Sequence, residues 1–301
     1  MEIFLLNNLI ILSVISSVLF ATGSVIGRVG LIDEDPLVGS AISIFGGTIF
    51  LSVLISVLGQ FNELLMLDLS TIVILSAAGL LNFAGGRWLL FYSTKIIGIS
   101  RTILIQTLTI VFSALLAWLF IDYTFSIREL IAISLMTSSI SLIPLSKSSI
   151  QKVNNVSSSY FMKGVFVAIV GAFIVALSSI LISLSIDQSS SIYSELFIFH
   201  LSASIVWLIP ILIQKKFTRL FYNTNSRTML ALHGAIMSLG HLSRYFAIVL
   251  GSVVIVQAVI LSISPVLTII LSYVFLNRIE NVNRYLWFST LLAILGIYLV
   301  S

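Results

Sequence analysis

The chain has 301 residues, 59% hydrophobic and only 9% charged, against about 45–50% and 25% in an ordinary soluble domain, so its solvent is the bilayer. The absence of cysteine excludes a disulfide framework, a thiolate metal site and a cysteine nucleophile. The net charge of +4 comes from Lys and Arg scattered through short connections, which excludes a basic nucleic-acid-binding stripe.

Backbone groups in lipid have no water to bond, so apolar runs without strand alternation read as helices. The first run, within Met1 to Phe20, has no basic n-region and Glu2 as its only early charge; it reads as a span, not a cleavable signal. At about 20 apolar residues per crossing, spans fall near Leu9 to Gly30, Pro36 to Leu58, Ser70 to Thr94, Ser100 to Ile121 and Ile127 to Pro144. After a polar connection from Leu145 to Ser159, five more fall near Tyr160 to Ile186, Ile192 to Ile213, Thr228 to Val249, Ser252 to Leu276 and Arg284 to Val300. The run from Met229 to Leu276 would make one helix about 72 Å long, over twice the hydrocarbon thickness, so it is expected to fold back at Gly251 and Ser252. The expected fold is an all-α integral membrane protein of ten transmembrane helices, with one five-helix repeat over residues 1–146, a polar connection over 147–159 and a second repeat over 160–301.

The repeat rests on an offset of 155 residues, which brings Val111, Leu116 and Phe120 onto Val266, Leu271 and Phe275. Ser113 meets Thr268, Trp118 meets Tyr273, Ile121 meets Leu276, Ala21 meets Ala176 and Ser24 meets Ser179. Chance similarity of apolar helices is the competing account. With an odd number of spans per half, the second half enters from the opposite side, giving a five-plus-five inverted-topology repeat of the kind found in secondary transporters.

Three stretches are more specific than hydropathy. Gly86-Arg87-Trp88-Leu89-Leu90-Phe91-Tyr92 runs on to Gly98-Ile99-Ser100-Arg101, and Ser243-Arg244-Tyr245-Phe246-Ala247 runs on to Gly251. Ser264-Pro265-Val266-Leu267-Thr268 leads to Leu276-Asn277-Arg278-Ile279-Glu280. With these the chain resembles, over essentially its whole length, the EamA-type transporters of the drug/metabolite transporter superfamily. The resemblance implies a five-plus-five helical fold around a central cavity serving metabolites or drug-like solutes. Two positions depart from the family pattern: Ile110 stands where the fourth span often has proline, and the acidic residue often found after that span is absent at Tyr123, with Asp122 adjacent.

Two basic residues lie well inside predicted spans, Arg87 in the third and Arg244 in the eighth, and each costs about 2.5–3.5 kcal/mol at a helix centre. They approach opposite membrane faces. Their guanidinium forks suit a substrate carboxylate or phosphate; alternatively they bond helix carbonyls or snorkel to the interface. In the fourth span Thr102, Gln106, Thr109 and Ser113 share one face, and the ninth carries Gln257, Ser264, Thr268 and Ser272, interrupted by Leu261. Cavity lining is the favoured reading and close helix packing the bland one. Pro265 frees a carbonyl near Leu261 that a solute or neighbour can use.

The eighth span aligns Gly234, Ser238, His241 and Tyr245 beside Arg244. His241 either relays protons or is hydrogen-bonded to a neighbouring helix, the commoner case. Asn82 serves the cavity or close packing. Gly23 and Gly27 form a GxxxG pair that suggests tight helix contact, and Asn155-Val156-Ser157 is a glycosylation sequon. None of the acidic residues falls at mid-span, Glu129 and Glu195 lying near helix ends, so a buried carboxylate relay has no support.

The expected function is secondary, non-ATP transport of a small polar metabolite or drug-like solute by alternating access through a central cavity, in a multi-pass protein of the cell membrane. No GxxxxGK[ST] motif occurs. The alternatives are an intramembrane enzyme, disfavoured because no serine sits in a GxSxG elbow and no aspartate is central, and a structural membrane subunit. No catalytic residue, cofactor or metal is expected; the expected partners are a small-molecule substrate and membrane lipid, with a homodimer as an option and no nucleic acid. Twelve Lys and Arg fall on the odd-numbered connections and only Arg128 on the others, so the positive-inside rule places both termini outside, whereas relatives of the resembled family are commonly described with both termini cytoplasmic.

Overall fold

The computed structural model describes residues 2–121, 126–146, 157–185, 191–214, 225–250, 253–280 and 282–300, and every regular element among them is helical. The long elements are α1 (Glu2–Gly30), α2 (Pro36–Val57), α3 (Leu69–Ile97), α4 (Ile99–Gln106, continuing as Leu108–Ile121), α5 (Ile127–Ser141), α6 (Ser158–Ser185), α7 (Ile192–Ile213), α8 (Asn225–Leu250), α9 (Val253–Phe275) and α10 (Arg284–Val300). Six are long and apolar enough to cross a membrane: Asn7–Gly30, Pro36–Val57, Leu69–Ile97, Ile99–Leu116, Ser158–Ile182 and Ile192–Ile213. Shorter apolar helices cover Leu130–Ser141, Val259–Phe275 and Arg284–Leu299. With 26 residues, or about 39 Å, α8 has the length, but Arg227, His233, His241 and Arg244 make it the most polar of the long helices.

Helix α8 ends at Leu250 and α9 begins at Val253; the expected fold-back at Gly251 and Ser252, like Asp122, Tyr123 and the Asn155 sequon, lies outside the described residues. Local chemistry sets the helix starts. Pro36 opens α2 behind Asp35, whose carboxylate accepts from Leu37 N at 2.8 Å. Asp68 caps α3, accepting from Thr71 N and the Ser70 hydroxyl, bonds that hold its carboxyl down to about 2. One departure is a break in α4 at Thr107, whose hydroxyl bonds Leu104 O at 2.7 Å and competes with the helical ladder.

Packing is mostly between the two halves of the chain. Helix α1 lies on α8 and α9, α3 on α6 and α7, α2 on α7 and α8, α4 on α6, and α5 on α10. Exchanging each helix for the one five further on reproduces this set: α1 on α8 becomes α3 on α6, α1 on α9 becomes α4 on α6, and α2 on α8 becomes α3 on α7. The α2–α7 and α5–α10 pairs map onto themselves. The GxxxG pair of α1 sits where expected, with Gly23 against Met237 and Gly27 against the His233 ring. At Gly27 a Cβ would lie 2.6 Å from that ring, so the α1–α8 crossing requires glycine.

Where α1 ends and α8 begins, ion pairs join the halves. Arg28 Nε donates to Glu280 Oε1 at 2.8 Å, with Glu280 wholly buried. The same carboxylate accepts from Ile99 N at 3.0 Å and Ser100 N at 3.2 Å, capping α4, while Arg101 Nη1 donates to Glu280 O at 3.1 Å. Arg227 Nε donates to Glu34 Oε2 at 2.8 Å, and Lys95 Nζ donates to the carbonyls of Leu31, Ile32 and Glu34.

Candidate functional site

In the middle of α3 the ladder widens into a π-helical segment, Leu80–Gly86. Arg87 N consequently donates to Asn82 O, and Phe83 O, which an α-helix would pair with Arg87, accepts instead from the Trp207 indole Nε1 of α7 at 3.4 Å. Phe83 is thereby anchored with its ring at the centre of a polar cluster. Its ring lies 4.0 Å from that of His200 and 5.3 Å from that of His241, centroid to centroid, and the Arg87 guanidinium carbon stands 5.1 Å over it.

All three histidines of the chain belong to this cluster. His200 of α7 donates from Nδ1 to Leu196 O at 3.0 Å, leaving Nε2 for the Ser238 hydroxyl at 3.1 Å. His241 lies edge-on to Phe20 and 6.2 Å from the His200 ring. His233 is wedged between α2 and α3, with Nδ1 2.7 Å from Ser43 Oγ, and Arg87 Nη1 stands 3.1 Å from Nε2 and 3.4 Å from Nδ1. A guanidinium only donates. It therefore offers the ring no acceptor, and both ring nitrogens face a fixed positive charge.

Arg87 and Arg244 are 6% and 8% exposed, and among the described residues no salt bridge reaches either. Cation–π contact with Phe83 and the two His233 ring nitrogens are what Arg87 has in exchange for hydration. A guanidinium has only donors to offer, so the Gln257 amide of α9 is assigned with its oxygen toward Arg244, where it accepts from Nε at 3.2 Å and from a terminal nitrogen. His233 and Arg244 are separated by eleven positions on α8, about 16 Å, so the two arginines lie at different depths with His241 between them. Two permanent cations held this way form a positive interior that can accept an anion at little cost of reorganisation.

The structure brings Asn82, Arg87, His241, Arg244 and Gln257 of the predicted set to this cluster, Asn82 through its carbonyl bond to Arg87 N. Tyr245 is buried in the apolar core that also holds Leu242. The α4 stripe turns elsewhere: Gln106 Nε2 donates to Ala168 O at 3.2 Å and Thr109 Oγ1 to Ala172 O at 3.4 Å, both on α6, while Thr102 Oγ1 bonds Gly98 O and Ser93 Oγ. Ser113 is half-buried; in α9, Ser264 and Thr268 are buried and Thr268 Oγ1 donates to Ser264 O. Sequence reasoning missed Phe83, His200, His233 and Ser43. A usable signal existed for the histidines, since all three fall inside predicted spans; none existed for Phe83, whose role depends on the π turn.

The model of the EamA-like transporter family matches residues 7–145 and again 162–301. No curated protein matches the chain. Among solved structures, one described simply as the crystal structure of a protein aligns over 98% of this chain and 96% of its own, with a TM-score of 0.64 and 12% identity. At that identity the likeness speaks for the fold alone.

Proposed function

Because the chain belongs to the EamA-like transporter family, we propose that it is a secondary transporter of the cell membrane that moves a small polar metabolite or drug-like solute by alternating access. Ten spans in two five-helix repeats of inverted topology, residues 1–146 and 160–301, enclose the path, and the exchange of helix contacts between the halves supports this reading. The solute binds where the halves meet, at Arg87, Arg244, His241 and Gln257, with Asn82 and Tyr245 beside them. The α4 and α9 residues Thr102, Gln106, Thr109, Ser113, Ser264 and Thr268 border the path where solute movement separates α4 from α6. The observation that carries the proposal is the pair of buried arginines in an interface built from both halves, since intramembrane ionisable groups usually serve function. The test is uptake of radiolabelled metabolite pools by proteoliposomes holding the purified protein. Gradient-dependent accumulation of an unchanged compound supports transport; chemical conversion without accumulation would show an enzyme instead.

A further inference from the structure

The arrangement around His233 ties a proton to an anion. Arg87 Nη1 lies 3.1 Å from His233 Nε2 and 3.4 Å from Nδ1, and Nδ1 is engaged with Ser43 Oγ at 2.7 Å. While Arg87 holds that position, a second proton on the ring is disfavoured, because it would set an imidazolium directly against a guanidinium. A carboxylate or phosphate outcompetes a neutral imidazole for a guanidinium, since it brings an opposite charge and accepts two parallel N–H bonds from the fork. An anion that engages Arg87 therefore draws the guanidinium off the ring, and the unprotonated nitrogen then sits beside a newly bound negative charge.

The surroundings leave the anion as the group able to balance that proton. From α3, His233 faces Arg87 and the Phe91 ring at 5.1 Å; from α2 it faces Ser43; and from α1 it faces Gly27, next to Arg28, which is engaged with Glu280. From α7 the nearest titratable group is His200, bonded to Ser238, and on α8 itself His241 and Arg244 follow. Among the described residues no carboxylate faces the ring.

We propose that the solute of this site is an organic or inorganic anion and that it binds together with one proton, the anion taking Arg87 and the proton, supplied by water, taking the unprotonated ring nitrogen of His233. This rests on the transport reading for its purpose, and in a transporter it makes the carried unit an anion with a proton; the linkage itself is a property of binding and is measured without flux. For one linked proton, anion affinity strengthens by about tenfold for each pH unit lowered, over the range in which free His233 stays neutral and anion-bound His233 stays protonated.

The full-length protein, labelled with nitrogen-15 at its histidines and held in lipid nanodiscs, gives three imidazole signals to follow, assigned through His200→Gln and His241→Gln. Without added anion, His233 is expected to be neutral, and an imidazolium in that state would overturn the proposal. In Arg87→Met, of similar length but with no donor, the anion probes are expected to leave the His233 signal unchanged, and a probe that still protonates it would likewise overturn it. Acetate, succinate and inorganic phosphate are the anion probes, at mildly acidic pH. The expected result is that at least one of them protonates His233 and is bound with uptake of one proton, read by a pH dye in weak buffer. Binding without proton uptake, or no response of His233 to any of the three, would sink the linkage. A probe that binds with its proton but fails to accumulate in proteoliposomes would retire the transport reading while the linkage stood; accumulation with no proton movement would do the reverse.

Discussion

Arg28 Nε and Glu280 Oε1 meet at 2.8 Å in the protein interior, although 252 positions separate them in the chain. Removing one member leaves the other buried and uncompensated, which typically costs 3–5 kcal/mol, about the same range expected here. Glu280→Gln and Arg28→Met are each expected to lower the unfolding midpoint of the purified protein. The double variant should lose less than the two single losses combined. Strictly additive losses would show that the carboxylate matters as a cap for Ile99 and Ser100 and not as the partner of Arg28.

Gly98, with φ +85 and ψ 159, turns α3 into α4 in a region essentially restricted to glycine. A Cβ there would press on the Glu280 carboxylate. Gly98→Ala is expected to destabilise by about 1–3 kcal/mol from the backbone alone, with a further loss as Glu280 is displaced. Chemical denaturation in detergent checks this: if the alanine variant unfolds like the unaltered protein, the described turn is wrong.

Arg87→Gln and Arg244→Gln are each expected to weaken binding of an anionic solute while leaving membrane insertion intact, because each loses a charge-assisted fork. Equilibrium binding to both variants in nanodiscs is the measurement. Unchanged binding of every identified substrate by both would assign the arginines to packing.

The two polar stripes supply a reactivity experiment on a background free of native cysteine. Single cysteines at Thr102, Gln106, Thr109, Ser113, Gln257, Ser264 and Thr268 are expected to react with a small hydrophilic thiol reagent when solute moves through, faster than cysteines at the lipid-facing positions Leu115 and Ile270, which are 37% and 41% exposed. Gln106 and Thr109 are informative because their side chains are bonded to α6 carbonyls at rest. Reactivity equal to the controls with and without solute would make the stripes permanent packing seams.

Orientation follows from charge. In the proposed ten-span topology the connection holding Asp33 shares its side with most Lys and Arg, and the one holding Asn62 lies opposite; both residues are exposed. With the basic side facing the cytoplasm, Asn62→Cys is expected to label with an impermeant reagent on intact cells and Asp33→Cys only after permeabilisation. The reverse pattern would place both termini inside.

Much of the architecture is legible in the sequence because lipid imposes a length and a composition on every crossing. The helix ends at Gly30, Ile121, Ile213 and Val300 and the Gly23–Gly27 contact all follow from that and from glycine chemistry. Arg87 and Arg244 were visible as charges in the wrong solvent. Their partners were not, since His233 and Gln257 are chosen by how α3, α8 and α9 cross. The π segment at Leu80–Gly86 leaves no periodic trace, as one added residue within a uniformly apolar helix changes no pattern. Glu280 is apparent as an acidic residue after the ninth span, yet its contact with Arg28 is a property of the assembled halves.

The interlocking of the halves has a consequence in time. Synthesis at about 5–20 residues per second puts an interval on the order of ten to forty seconds between the appearance of α1 and that of α8, its main neighbour. A chain halted after α5 holds Arg28, Glu34 and Arg87 and lacks Glu280, Arg227 and His233, their respective partners. Throughout that interval these groups depend on water or on the insertion machinery. Truncated chains ending before α8 are accordingly expected to be recognised and degraded in the membrane, even though every helix they contain is long or apolar enough to have entered it.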